Sequence, residues 1–506
     1  MRYVTPILIF AFLVYGIGYV ILSRTKKSLP EVERSNEDIH FIFLLPCLNE
    51  GKVIGKSLDR LLEIPYSNKS VVVIDDASDD DTFEVVSRYF DRRVSLLRRE
   101  LPEARKGKGE ALNAAYRAIT SSPEIIASDP DKVVIVIVDA DGRLQSDALS
   151  KVAPYFDDPK VAAVQIGVRM YNSAKSILAR MQDFEFLVFT EIFQRARHQI
   201  GSSGLGGNGQ FNRLSGLADL GEAPWSNLLT EDLDLGLKLI ERGWLNAFCQ
   251  DTFVSQQGVT SFSKLIRQRT RWFQGHLQCW YHFPRIIKAK LSPGATIDLL
   301  YNLTGPLTVL LLSLSIFAVL FANILILIAE PMRYFHAVTS NYGLPLILVY
   351  VFSFGFAPVY AYLYLKATPE ISVIRGLYYA HLYVFYSYIW FISGWKAIFR
   401  IVFRKKGWSK TSRFTKQAAI LDPYEASKGR LVKRQERRTV MSFGSEPRVV
   451  EVENAHNRRG EFTLDDIDLL NQELPPELLN RLVRRDSGAR GLGFLWSDVE
   501  QGEQSR

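Results

Sequence analysis

The stretch VVIVIVDADG, residues 133–142, decides how the rest of the chain is read. Six consecutive β-branched apolar residues fit a strand buried on both faces. The run stops abruptly at two aspartates and a glycine. Two further runs behave alike: FIFLL at 41–45, and VVVI at 71–74, which passes directly into DDAS at 75–78. Between the first two lies EGKVIGKSLDRLLEI, in which Ile54, Leu58, Leu61 and Leu62 recur at helical spacing. Continuous apolar strands alternating with amphipathic helices predict an α/β, Rossmann-like domain with a parallel sheet covered on both faces. Ligands of such sheets bind beyond the carboxyl ends of the strands. Both acidic clusters fall there.

The chain has 506 residues, too many for one ordinary domain, and carries 62 basic against 54 acidic side chains. The resulting charge of +8 is mild and suits the cytoplasmic face of a membrane. A nucleic-acid partner is not expected, because the basic residues are interleaved with apolar spans. Three widely separated cysteines, Cys47, Cys249 and Cys279, support neither a disulfide framework nor a zinc site. Residues 6–22 form an apolar run followed by SRTKK, which reads as an anchor with its C-terminal end in the cytoplasm rather than a cleaved signal. Apolar regions return at about 297–328, 344–365 and 373–402. The third carries Arg375, His381, Lys396 and Arg400, and fits an interfacial or cavity-lining helix. The expected organisation is an anchor at 1–28, a cytoplasmic α/β domain at 29–292 and transmembrane or interfacial helices at 293–403. A charged cytoplasmic tail follows at 404–506, partly disordered but with two short amphipathic helices about Thr463 and Pro476. The number of full crossings stays open.

Several clusters could carry chemistry. Asp139 and Asp141 could reach one ligand from the turn at Gly142, and two carboxylates suit Mg²⁺ or Mn²⁺ bridging a diphosphate. The plain alternative is a solvated turn. Asp75 and Asp76 could accept from a nucleoside; alternatively, Ser78 or the aspartates after it cap a helix. In RKGKGEALN, residues 105–113, Lys106 or Lys108 could meet a phosphate. LTEDLDLGLKLIERG, residues 229–243, predicts a helix from about Thr230 to Gly243. Glu231 and Asp232 then sit at its N-terminus, either as dipole partners or as a general base that the helix end keeps ionised. GLGGNGQFNR, residues 204–213, reads as a flexible loop from which Asn208 could bond to a sugar. In QRTRW, residues 268–272, Arg271 could neutralise a departing diphosphate and Trp272 could stack on a sugar ring. The alternative there is an interfacial helix with Phe262, Leu265, Ile266, Trp272 and Phe273 against lipid. Arg267 and Arg269 are the better candidates for ordinary surface charge.

In order, PCLNE, DDAS, KGEALN, DADG, TED and QRTRW resemble the membrane-embedded family-2 glycosyltransferases, which include cellulose, chitin and hyaluronan synthases. The resemblance covers about 41–272. It implies a nucleotide-diphosphate-sugar fold of the GT-A type, an Mg²⁺ or Mn²⁺ cofactor and an inverting transfer. The donor would be a UDP-sugar and the acceptor a growing polysaccharide at the membrane, with export coupled to synthesis. Single-sugar transfer to a lipid or glycolipid is the alternative. In these terms Asp75 or Asp76 would contact the nucleoside, with Lys108 nearby, and Asp139 and Asp141 would hold metal and diphosphate. Asp232, with Glu231 beside it, would deprotonate the acceptor. Gln268, Arg271, Trp272 and Asn208 would serve diphosphate and acceptor. A homo-oligomer or an accessory export protein would be a further partner. Where polymer synthases often carry a Cys-Gly-Ser-type stretch, this chain has GGNGQFN. A membrane scaffold that kept the fold without turnover is a reading from a different class.

Overall fold

The computed structural model describes residues 4–25 and 38–403. The expected tail helices lie outside those residues. Eight strands form one sheet: β1 His40–Cys47, β2 Lys69–Asp75, β3 Val94–Arg98, β4 Val133–Ile137, β5 Arg143–Leu144, β6 Val161–Met170, β7 Gln210–Arg213 and β8 Leu245–Gln256. Their order is β3-β2-β1-β4-β7-β6-β8-β5.

The expected parallel arrangement holds for β3, β2, β1 and β4. Beyond β4 the sheet is mixed, because β7 runs antiparallel to both β4 and β6. β7 also corrects the loop expected at 204–213, since its four residues are buried in the middle of the sheet. A strand reading QFNR tolerates that position because its side-chain donors are taken up by backbone carbonyls, although Asn212 Oδ1 is left without a partner. The Asn212 amide donates to Ile135 O (3.3 Å), and Arg213 donates to the carbonyls of Val161 (2.9 Å) and Asp158 (2.9 Å).

Alternate residues of β1 and β4 serve two separate cores. Phe41, Phe43, Val134 and Val136 pack with Ile54, Leu58 and Leu61 of the helix Gly51–Leu62. Ile42, Leu44, Ile135 and Ile137 pack on the opposite face with Ala111, Leu112, Ala115 and Ile119 of the helix Lys108–Thr120. Leu235 and Leu239 of the helix Glu231–Glu241 join that second core. Two helices on one sheet face thus bring their N-termini together past the end of β4.

Two segments, Pro293–Ala329 and Pro331–Ala367, are long and apolar enough to cross a membrane. The second is interrupted at 340–343, where Asn341, Tyr342 and Gly343 adopt left-handed backbone. Region 373–402 is two shorter helices, Val373–Ser387 and Ile389–Val402, of 15 and 14 residues. They cover the helix Phe262–Gln278. Leu265 and Ile266 pack with Tyr386 and Ile389, and Phe273 packs with Ala397 and Leu310. Those apolar residues therefore face protein, not lipid, and of the set expected at a lipid surface only Phe262 is largely exposed.

Candidate active site

Lys108 opens its helix and Glu231 and Asp232 open theirs. Asp139 stands two residues beyond β4. Lys108 Nζ donates to Asp139 Oδ1 (2.9 Å) and to Gly207 O (2.7 Å), and lies 3.9 Å from Glu231 Oε1. Asp232 Oδ1 accepts from the Leu233 N–H (2.8 Å). A Cβ at Gly207 would stand 3.2 Å from Asp232 Oδ2 and 3.4 Å from Lys108 Nζ, so glycine there lets the loop close over both charges. Gly275 has the same role from the other side. A Cβ there would come within 2.6 Å of Cγ2 of Thr230, the residue that precedes the helix Glu231–Glu241.

Burial raises both carboxyls of the Glu231–Asp232 pair above the ordinary range, and in Glu231 the neighbouring Asp232 adds to it. Lys108 and Arg271 oppose this without overcoming it. Removal from water thus raises both carboxyls although they stand at a helix N-terminus, where the Leu233 N–H lowers Asp232. Burial alone would lower the Lys108 ammonium, but Asp139 and Glu231 hold it above its usual value.

One cavity of about 800 Å³ is lined by Asp76, Lys108, Asp139, Asp141, Asn208, Glu231, Asp232, Gln268, Arg271 and Trp272. Of the expected residues, only Asp75 stands outside its wall. Asp75 is fully buried, with Oδ1 accepting from the Ser78 N–H (2.9 Å), while Oδ2 has no hydrogen-bond partner. Asp76 is ion-paired to Arg99. The helix Thr82–Ser87 starts after Asp81, whose side chain makes no capping bond; Asp80 accepts from the Thr82 N–H (3.1 Å), and the Ser78 hydroxyl accepts from the Asn49 N–H (3.0 Å). Lys106 is engaged with Glu103 (2.7 Å) at the surface. The amide of Asn208 is used within the protein, accepting from the Asp139 N–H (3.2 Å) and donating to Gln256 Oε1 (2.8 Å).

Asp139 and Asp141 frame the turn closed by the Gly142 N–H on Asp139 O (2.6 Å). Asp141 Oδ2 accepts from the Gln257 N–H (3.1 Å). Among the described residues no three His, Cys, Asp or Glu side chains cluster as a metal-binding group. Two carboxylates on one cavity wall nonetheless fit a hard divalent ion, which commonly takes one or two carboxylates and fills its shell with substrate phosphates and water. The ammonium already resting on Asp139 shows that this oxygen accepts a cation.

Arg269 corrects the expectation of surface charge. It is fully buried, paired with Glu185, and its guanidinium lies 4.1 Å from the centre of the Trp272 ring. Glu185 also accepts from Tyr386 Oη (2.9 Å) and Trp390 Nε1 (2.8 Å). This four-residue lock fixes Trp272 against Phe186 and Trp390. Arg267 is exposed as expected.

Sequence reading missed Glu185, Gln165, Gln256, His276 and Trp390. Gln165 Oε1 accepts from the Gly206 N–H (2.8 Å) and its amide donates to Asn208 O (3.0 Å), which pins the glycine loop. The available signal was a glutamine inside the apolar run VAAVQIGV, where a buried amide must be satisfied.

Residues 40–275 match the model of the family described as Glycosyltransferase like family 2. A beta-monoglucosyldiacylglycerol synthase of Nostoc sp. is 31% identical over 296 residues, covering 57% of this chain and 59% of the relative. A poly-beta-1,6-N-acetyl-D-glucosamine synthase of Staphylococcus aureus is 28% identical over 241 residues, covering 46% of this chain and 53% of the relative. The chain thus spans between half and three-fifths of the length of these relatives. A mannosyltransferase of Pyrobaculum calidifontis, solved in complex with GDP-Man and Mn²⁺, superimposes with a TM-score of 0.50 at 20% identity, over 76% of this chain and 99% of that one. That likeness concerns the fold. The likeness to the glycosyltransferase-like family 2 is thus carried by residues 40–275 of this chain.

Proposed function

We propose that the protein is an inverting glycosyltransferase that moves a sugar from a nucleotide-diphosphate donor, a UDP-sugar first, to an acceptor hydroxyl at a membrane. The carrying observation is the convergence of Lys108, Asp139, Glu231 and Asp232 in one cavity. Asp232 receives the acceptor proton. The acceptor oxygen bonds to the anomeric carbon as the bond from that carbon to the diphosphate oxygen breaks, and the electron pair leaves with the diphosphate. Lys108 and Arg271 hold the leaving charge. Asp139 and Asp141 would hold the divalent metal, which supplies further neutralisation of the diphosphate when bound. Asp76, on the cavity wall just past β2, supports a nucleoside pocket on that side, with Asp75 buried behind it. Asn208 positions Asp139 through the N–H bond it accepts.

The division into anchor, cytoplasmic transferase, membrane helices and tail belongs to this proposal, supported by the two long apolar segments. Two acceptor classes fit. QRTRW favours a growing polysaccharide, the product in the name of the Staphylococcus relative; the apolar end of the cavity favours a lipid, as in the name of the Nostoc relative. The test is a screen of UDP- and GDP-sugars on purified protein, with and without chelator, followed by mass analysis of products. A ladder of masses supports the polymer and one fixed increment supports the lipid. No donor turnover with Mg²⁺ or Mn²⁺ present would refute the enzyme and leave the scaffold reading.

A further inference from the structure

The cavity does not end at the catalytic carboxylates. It continues between two helical walls. On one side Tyr301, Gly305, Thr308 and Leu312 face it from the helix Pro293–Ala329. These recur every three or four residues and so form one face; their eleven-residue separation is about 16 Å of helix. On the other side stand Phe186, Phe189 and Phe193, across the π-helical turn Phe189–Gln194. Such turns interrupt helices most often at functional sites.

Along the helix Pro293–Ala329 the cavity wall is polar at Asn302 and mostly apolar from Pro306 to Leu312. Nearest the transferase lie His276, Arg197 and Asn302. His276 Nε2 donates to Asn302 O (2.9 Å), the carbonyl that Pro306 leaves without its helical donor. Burial pushes the His276 imidazole down to about 4, which keeps it neutral and in that donor role. Arg197 is 6% exposed and lies 3.3 Å from Asp298, which also accepts from Tyr15 Oη (2.8 Å). Beyond Gly305 the helix wall is Pro306, Val309 and Leu312, and its hydroxyl, Thr308, is turned back to Thr304 O (3.3 Å); on the facing wall Thr190 donates to Leu187 O (3.1 Å) and the Gln194 amide to Gly204 O (2.7 Å), so these polar groups are used within the protein. A glycan threaded there would bury hydroxyls without partners, at a cost of kilocalories per group. A hydrocarbon chain has no such need. The outer side of the same helix, at Leu307 and Leu311, is exposed.

We infer that the acceptor is a membrane amphiphile: its hydroxyl-bearing headgroup reaches Asp232 past Arg197 and Asn302, and its hydrocarbon chain occupies the limb between Phe193 and Leu312, with Gly305 setting the bore. This rests on the transferase reading above. Gly305 is the informative position because a Cβ there meets nothing within 4 Å. The Cβ of leucine at that site would meet no neighbour, the rest of its side chain would narrow the limb, and it is a better helix former than glycine.

The experiment uses the full chain in detergent-free lipid discs with butyl-, dodecyl- and hexadecylglycerol as acceptors, and a hexadecylglycerol bearing a terminal diazirine as photo-label. In the unmodified protein, transfer should rise with chain length and the label should map to the peptide containing Tyr301–Leu312. In Gly305→Leu the ratio of hexadecyl to butyl transfer should fall by about tenfold or more, and the label on that peptide should be lost. An unchanged ratio, or label elsewhere, overturns the inference. So does preference for a soluble oligosaccharide without dependence on chain length. Absence of any donor turnover would instead sink the transferase reading, and the photo-label would still decide the limb.

Discussion

Replacing Asp232 by Asn tests the catalytic assignment most directly. The change is nearly isosteric, and the amide oxygen can keep the Leu233 N–H bond measured at 2.8 Å. The proton acceptor alone is removed. Loss of a positioned base reduces rate by about 10²–10⁴, or roughly 2.7–5.5 kcal/mol of barrier. The groups proposed to bind the donor, Asp76, Lys108 and Asp139, are untouched, so donor affinity should stay within about threefold, less than ~0.7 kcal/mol. A second effect follows from the shared burial of the pair. Asp232 raises the Glu231 carboxyl, so neutralising it should lower Glu231. In the unmodified enzyme the base must be ionised and its carboxyl is raised, so kcat/KM should fall as pH drops through a limb above the ordinary carboxylate range. In the variant the remaining activity should lose that limb or move it to lower pH. The assay is nucleotide-diphosphate release against pH, with donor affinity from calorimetry. A variant keeping more than about a tenth of kcat with the same acid limb would refute the base assignment. So would a folded variant that no longer binds donor.

Lys108→Met should weaken donor binding by about 10–100-fold, the worth of a charge-assisted bond to phosphate, and should raise Glu231 further because Lys108 lowers it; titration of donor against intrinsic fluorescence checks this. Gly275→Ala should press on Thr230 at 2.6–2.9 Å and displace the start of the catalytic helix, costing about 1–3 kcal/mol of stability and more of kcat than of donor affinity, seen by paired melting and kinetic measurements. Arg269→Met should leave Glu185 buried with only Tyr386 and Trp390 as donors and destabilise by about 3–5 kcal/mol; denaturant unfolding should show part of that recovered when Glu185→Gln is added. Chelation should abolish transfer, with Mg²⁺ or Mn²⁺ restoring it.

Local patterns carried the reading furthest where cause and effect lie close in sequence. The apolar run 133–138 predicts β4, and the spacing of Leu233, Leu237 and Ile240 predicts the helix that sets Asp232 in place. β7 was hidden because QFNR has neither strand periodicity nor apolar character, and its stability comes from carbonyls contributed by β4 and the β6 entry. Arg269 was misplaced for a similar reason. Its counter-charge, Glu185, lies 84 residues earlier, and the helices that bury both come more than a hundred residues later. The raised carboxyls show the limit of a helix-end rule, which counts a dipole but cannot count lost water.

The carbonyl freed by Pro306 has a consequence for how the molecule can be divided. A helix crossing a bilayer ordinarily satisfies its own backbone. Here Asn302 O is completed by His276 and Leu303 O receives Trp280 Nε1 (2.7 Å), so the apolar helix takes donors from the transferase side. Cutting the chain before Pro293 would strand those donors and uncover Leu237 and Ile240 of the helix Glu231–Glu241. The α/β segment and the helix Pro293–Ala329 share these bonds and the apolar cluster of Leu237, Ile240, Leu299 and Leu303, and engineering should be expected to move them as a pair.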